Sequence, residues 1–131
     1  MTRDFGTHRV YFDGKDDIVI KSVLTAIRGG AVLDTDEYGG GDKVLAGQIV
    51  IRSTEDGSYK PMPIEEGKYT SLPENYEYAG VVITSVPASA PFTSVLIAGD
   101  VNEKALPYKI DDIKEALIAA LPGITWTEDV L

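Results

Sequence analysis

The chain contains no cysteine, which excludes disulfide bonds, thiolate metal sites and cysteine nucleophiles. It has a single histidine, His8, in a stretch without any periodic pattern. A Ser-His-Asp site needs a histidine held rigidly against its nucleophile, and a histidine-rich zinc site needs several imidazoles. We therefore expect no metal, no cofactor and no catalytic residues, and we predict that the protein is not an enzyme.

Positive charge is scarce, because 12 Lys and Arg residues face 21 Asp and Glu residues, for a net charge of −9. Nucleic acids and anionic membranes are bound through clustered cations, so we expect neither as a partner. No apolar run approaches the ~20 residues that span a bilayer, and the N-terminus lacks an apolar signal core. We expect synthesis in the cytoplasm.

The acidic, glycine-rich segment 34–43 matches no ligand-binding motif. Its start, 34–39, is similar to a calcium loop, but Tyr38 and Leu45 stand where that pattern needs an oxygen ligand and a glutamate. The lysine at Lys43 follows Asp42, and not the glycine that a phosphate-binding loop requires. We interpret the segment as a solvated acidic loop, with calcium binding as the alternative.

A chain of 131 residues favours one domain, and its apolar runs favour strands. Residues 80–86 and 93–98 contain continuous apolar runs and predict two buried central strands, joined as a hairpin. Residues 44–53 predict another strand, followed by an Asp-Gly turn. Residues 59–64 return as an edge strand, because their two prolines cannot donate to a ladder.

The C-terminal part predicts one helix, residues 112–121, and a closing strand, residues 124–127. Asp112 is the expected N-cap, with Glu115 completing a capping box. The apolar positions of the helix fall on one face: Ile113, Ala116, Leu117, Ala120 and Leu121. The predicted fold is a β-rich α+β class: a small single domain of short mixed strands with one C-terminal amphipathic helix and an extended N-terminal arm.

The arm comprises residues 1–17 and the domain residues 18–131, which we expect to begin with a short strand at 18–20. The arm is polar, apart from Phe5, Val10, Tyr11 and Phe12. Chain ends are commonly disordered, but a purely disordered tail does not need such apolar groups. Both interpretations, a disordered terminus and an arm with a binding role, stay open on the residues alone.

The second half of the chain resembles a family of phage proteins. Residues 78–83 read Tyr-Ala-Gly-Val-Val-Ile, residues 93–101 are Val-rich with an Ala-Gly-Asp-Val end, and residues 105–108 read Ala-Leu-Pro-Tyr. This order, with the helix and the ending Leu-Pro-Gly-Ile-Thr-Trp at 121–126, is similar to the C-terminal half of head decoration proteins of tailed bacteriophages. These are the lambda D-like family and the related head fibre proteins. Upstream, residues 29–33 and 47–63 are also similar to that family.

The resemblance implies a structural virion protein that stabilises the capsid by binding its outer surface as a homotrimer, at three-fold or quasi-three-fold positions. The arm residues Phe5, Val10, Tyr11 and Phe12 would then contact the major capsid protein. Trp126, Val130 and Leu131 would contribute to the oligomer interface, with packing under the helix as the alternative. Other candidate functions are a head fibre anchor, a tail or baseplate component and, in a different class, a soluble β-rich ligand-binding module.

Overall fold

The computed structural model describes residues 16–27, 30–36 and 38–127. The predicted arm, up to residue 15, lies outside them. In chain order the elements are α1 (Asp16–Val19), β1 (Ile20–Ala26), β2 (Ala31–Val32), β3 (Lys43–Val44), β4 (Ile49–Ser53), β5 (Tyr59–Pro61), β6 (Ile64–Glu65), β7 (Lys68–Tyr69), β8 (Tyr76–Val82), β9 (Val86–Pro87), β10 (Phe92–Thr93), β11 (Val95–Asn102), a 3₁₀ turn (Glu103–Ala105), α2 (Lys114–Ala120) and β12 (Ile124–Thr127).

The main sheet has six strands, in the order β1-β11-β8-β4-β5, with β12 pairing β11 in parallel. The other pairs of this sheet are antiparallel. Three two-stranded sheets, β2 with β10, β3 with β9, and β6 with β7, complete the described strands. The fold is thus a small β-rich domain with one short C-terminal helix, as the sequence predicted.

The central strands are buried on both faces, which explains their continuous apolar runs. On one face, Ile49, Ile51 and Leu96 join a cluster that contains Leu117 of α2. On the other face, Val50 joins a cluster formed with the loops and short strands. A strand covered on both sides cannot alternate apolar and polar residues, so the run at 49–51 is what this position requires.

The predicted hairpin between residues 80–86 and 93–98 is confirmed in its pairing but not in its bounds. Val82 and Val95 are antiparallel partners, yet β8 begins earlier, at Tyr76, and β11 extends to Asn102. The connection between them forms β9 and β10, which pair with β3 and β2. Each short strand therefore fastens a distant loop to this connection.

The edge position of residues 59–61 is confirmed, since β5 is the last strand of the sheet and pairs only with β4 among the strands described. Gly57 has a φ of +77° in the preceding Asp-Gly turn, a conformation that glycine adopts without steric cost. Beyond β5 the predicted strand is interrupted, and β6 pairs with β7 instead.

The helix is shorter than predicted, and its predicted cap is wrong. The N-cap of α2 is Ile113, without a side-chain cap bond, while Asp112 lies in the turn before it. Leu117 and Leu121 are buried, but Ala116 and Ala120 are exposed. The helix therefore contacts the sheet along a stripe narrower than the sequence suggested, because only its longer side chains reach the core.

The predicted strand at 18–20 is also wrong, since Ile18 and Val19 belong to the helical turn α1 and β1 begins at Ile20. A run of β-branched residues favours a strand locally. Here the helical turn buries Val19, which is 2% exposed, against the approach to β4 near Gly47. Tertiary packing overrides the local preference.

Candidate binding surfaces

Most residues that the sequence assigned to binding lie outside the described part of the chain. These are the arm residues Phe5, Val10, Tyr11 and Phe12 and the terminal residues Val130 and Leu131. Their assignments stay predictions. Among the predicted site residues, Trp126 is the one that lies within the described part of the chain.

Trp126 lies in β12, opposite Val101 of β11. Its half-buried ring packs against the helix-side core cluster, as the packing alternative expected. The indole Nε1 is buried and has no hydrogen-bond partner among the residues that the structure describes. Buried donors are normally paired, so this nitrogen is an unusual feature of the strand. A contact between Trp126 and a second copy stays a prediction.

The acidic loop, residues 34–43, is fastened to the body of the domain although its aspartates are exposed. The backbone N–H of Asp34 donates to the Tyr59 carbonyl of β5 at 2.9 Å, and the N–H of Ala88 donates to the Asp42 carbonyl at 2.7 Å. Both ends of the loop are thus anchored. In the described residues no group of three or more His, Asp or Glu side chains is placed to hold a metal ion.

Tyr38 is the side chain that closes this loop. It is 5% exposed, and its hydroxyl lies 2.7 Å from Gln48 Oε1 and 2.8 Å from the Lys43 carbonyl oxygen. One hydroxyl proton can be donated to only one of the two acceptors at a time. A Cβ atom at Gly40 would overlap the Tyr38 ring, so this glycine provides the space that the ring fills.

Burial controls the ionisation of the tyrosines in this region. Loss of hydration raises the pKa of Tyr38 to about 12, while the hydrogen bond with Gln48 acts in the opposite direction. Burial also raises the pKa of Tyr69, whose hydroxyl accepts a bond from the Ile49 N–H at 3.1 Å. Both side chains are neutral hydrogen-bonding groups at physiological pH, and neither is a candidate base.

A long antiparallel ribbon carries most of the exposed apolar side chains. β1 pairs with β11, and the pairing continues through the Ile27 N–H, which donates to the Val95 carbonyl at 2.9 Å, into β2 and β10. Five large apolar residues are exposed along this ribbon: Val23, Leu24, Val32, Phe92 and Ile97. Exposed apolar groups collected on one element commonly mark an interaction surface.

Bulges in the ribbon explain the exposure of two of these residues. The register passes from Val23 and Gly99 to Thr25 and Ala98, so Leu24 has no partner, and a second shift leaves Ile97 without one. The extra residue of a bulge is left unpaired and the ladder is locally disrupted. Leu24 is consequently 78% exposed.

The outer edge of β1 is the second notable feature of the ribbon. Over residues 16–27, 30–36 and 38–127, no strand pairs with β1 on the side away from β11. We define the apolar edge as β1 with the exposed side chains of Val23 and Leu24. Such an edge is a template for an additional strand.

A groove lies between β7 and the segment that leads into α2. It has a volume of about 570 Å³ and is lined by Gly67, Lys68, Tyr69, Pro107, Tyr108, Lys109, Asp111, Asp112 and Ile113. The rings of Tyr69 and Tyr108 are tilted by 58°, with their centroids 5.6 Å apart. We call this the tyrosine groove.

Sequence reasoning missed both the apolar edge and the tyrosine groove. The apolar pair at 23–24 was a signal for an additional strand, but its exposure depends on a bulge that no local pattern predicts. The groove joins segments that are about forty residues apart, 67–69 and 107–113.

Comparisons with protein-family models, with curated proteins and with solved structures found no match to this chain. The likeness to phage decoration proteins stays a prediction from the sequence. None of the described helices is both long and apolar enough to cross a membrane.

Proposed function

We propose that the chain is a structural virion protein that binds the outer surface of a tailed-phage capsid, contacts the major capsid protein and stabilises the shell. The sequence resemblance to head decoration proteins supports this role, and it is the basis for expecting a homotrimer. The β-rich domain with one C-terminal helix agrees with the fold that this resemblance implies. The net charge of −9 suits an outer surface better than one that faces packaged DNA.

The observation that carries the proposal is the apolar edge. β1 follows directly after α1, so it stands where the N-terminal arm joins the folded domain. An extended segment of a capsid protein could add to this edge through main-chain hydrogen bonds. Val23 and Leu24 would then lose their exposure to water, at roughly 25 cal/mol per Å² of apolar surface buried.

Many linked copies of this small contact would together be sufficient for stable binding to the shell. A single edge strand buries little surface and predicts weak binding of one copy. A trimer would present three edges and three arms to a closed shell, and the linked contacts raise the effective affinity without any new interaction. Bulges of β1 restrict pairing with arbitrary strands, which favours a matched partner over general adhesion.

The test uses purified full-length chain and undecorated capsids of the phage that encodes it, with binding followed by co-sedimentation. Leu24→Lys places a charge on the apolar edge and should weaken binding at least tenfold. Ile118→Lys is the matched control, because Ile118 is an exposed apolar residue of α2 and lies outside the ribbon. Binding of Leu24→Lys equal to the control would remove the apolar edge from the proposal.

The same sedimentation with isolated tails separates the remaining structural roles. Association with tails and not with capsids would identify a tail or baseplate component. A head fibre anchor would bind capsids at far fewer copies than a decoration protein. Neither alternative is favoured by a particular feature of the described residues.

A further inference from the structure

The tyrosine groove has the dimensions of a small-molecule site and is not used by the proposed function. Its volume of about 570 Å³ lies within the range of roughly 300–1,000 Å³ that is typical of ligand pockets. We call the two tyrosine rings that line it the floor, and the four charged side chains that line it the rim. This division into apolar faces and polar margins is typical of a binding site for a small amphipathic molecule.

Its floor is held in place by the core. Tyr69 is tied to β4 through its hydroxyl and the Ile49 N–H, and its ring packs against both core clusters. The segment behind Tyr108 is anchored by Ile110, which is 1% exposed, and by the Ile113 N–H, which donates to the Ile110 carbonyl at 2.9 Å. The positions of the two rings are therefore fixed before a ligand binds. Binding would cost little conformational entropy at these residues.

The charges on the rim are balanced. Lys68 and Lys109 contribute two ammonium groups, and Asp111 and Asp112 contribute two carboxylates. In the described structure, the ion pairs involve other residues, Arg52 with Glu77 and Lys114 with Glu103. A charged ligand would meet both signs, and a purely apolar ligand would dehydrate four charged groups, which is costly.

We propose that the tyrosine groove binds a neutral oligosaccharide. Sugar hydroxyl groups can accept bonds from the lysines and donate bonds to the aspartates, while the apolar face of a pyranose ring would lie on Tyr108, since Tyr69 packs against both core clusters. The charge balance of the rim thus becomes an advantage, because a neutral ligand with both donors and acceptors satisfies each group. The residues that line the groove do not belong to the apolar edge, so sugar binding and capsid binding can be tested separately.

The test is an NMR titration of the free full-length chain with a panel of neutral trisaccharides built from glucose, galactose, mannose or N-acetylglucosamine. A sulfated trisaccharide and a short zwitterionic peptide are the comparison probes. We expect saturable shifts at Tyr69, Tyr108 and Ile113 with at least one neutral sugar. No shift at these residues with any sugar of the panel, or stronger binding of a charged probe, would overturn the proposal.

Two variants keep the result interpretable. Tyr108→Ala removes one ring and should weaken binding at least tenfold, with Tyr59→Ala on β5 as the control outside the groove. The double variant Lys109→Gln with Asp112→Asn changes only exposed side chains, so it should fold normally and still lose most of the affinity. Unchanged affinity in this folded variant would contradict a role for the rim.

Discussion

The hydroxyl of Tyr38 and the side-chain carbonyl of Gln48 lie 2.7 Å apart inside the domain. This contact joins the acidic loop to the residue that precedes β4. Gln48 Oε1 also accepts the Leu45 N–H at 2.6 Å, whereas Gln48 Nε2 is buried and finds no partner within the described part of the chain. This buried polar contact holds the loop together with the backbone hydrogen bonds at Asp34 and Asp42.

Alkaline pH should destabilise the fold through this tyrosine. The unfolded side chain ionises near its ordinary pKa of 10.0, whereas in the folded protein the pKa is about 12. Because the folded pKa is raised, the contribution to stability is complete below pH 10 and is lost as the pH rises towards 12. Burial of Tyr69 and Tyr78 acts in the same direction.

Denaturant unfolding of the wild type and of Tyr38→Phe across this pH range checks the prediction. At neutral pH the variant should lose about 1 kcal/mol, because one hydrogen bond is removed. Above pH 10 its stability should fall less steeply than that of the wild type. Parallel pH profiles would show that Tyr38 ionises as readily in the folded chain as in the unfolded one.

The two neighbouring residues Leu117 and Ile118 should differ sharply in their tolerance of alanine. Leu117 is fully buried in the helix-side cluster, whereas Ile118 is 49% exposed. Leu117→Ala should cost about 2–5 kcal/mol, since it leaves a cavity in the core. Ile118→Ala should change the free energy of unfolding by less than about 0.5 kcal/mol. Thermal melts that shift equally for both would mean that the helix presents a different face.

The strands with continuous apolar runs could be predicted from the sequence because the signal is local. Residues 49–51 and 81–82 must be buried on both faces wherever they lie. The partner of a strand is not local information, and β11 pairs with β1 through shifts in register that depend on bulges. The exposure of Leu24 follows from such a shift and was therefore beyond sequence reasoning.

The boundaries of the helix and the role of the acidic loop could not be predicted for a related reason. The capping box at Asp112 is a valid local pattern, but the chain forms a turn at 111–113 and starts α2 one residue later than that cap requires. The acidic loop had no recognisable motif because its organising contact joins Tyr38 to Gln48 through the tertiary fold. The arm and the last residues, which carry most of the predicted site, lie outside the described structure.

Trp126 provides a test of the predicted oligomer. Trp126→Phe keeps most of the ring packing and removes the buried N–H that lacks a partner, so the stability of the folded subunit should change little. If the exposed part of the half-buried Trp126 ring contacts a second copy, the smaller phenylalanine ring should make the variant dissociate at higher concentrations than the wild type. Light scattering over a dilution series checks this. A monomeric wild type at high concentration would contradict a stable free trimer.

Deletion of the arm should separate folding from binding. The cut belongs after residue 15, because α1 begins at Asp16 and Val19 is part of the core. We expect nearly unchanged melting temperature, because few arm residues are core candidates, and strongly weakened capsid binding, because Phe5, Val10, Tyr11 and Phe12 are lost. A truncated chain that unfolds would assign these residues to the core, and one that binds normally would place the whole interface on the folded domain.

The central claim is most directly tested by counting the copies that a capsid binds. Undecorated capsids are saturated with the full-length chain and sedimented, and the ratio of the chain to major capsid protein is measured by quantitative mass spectrometry. A decoration protein predicts a saturable, stoichiometric ratio and particles that withstand heating better than bare capsids. No co-sedimentation, or binding that rises without saturation and leaves the capsid's heat resistance unchanged, would contradict the account.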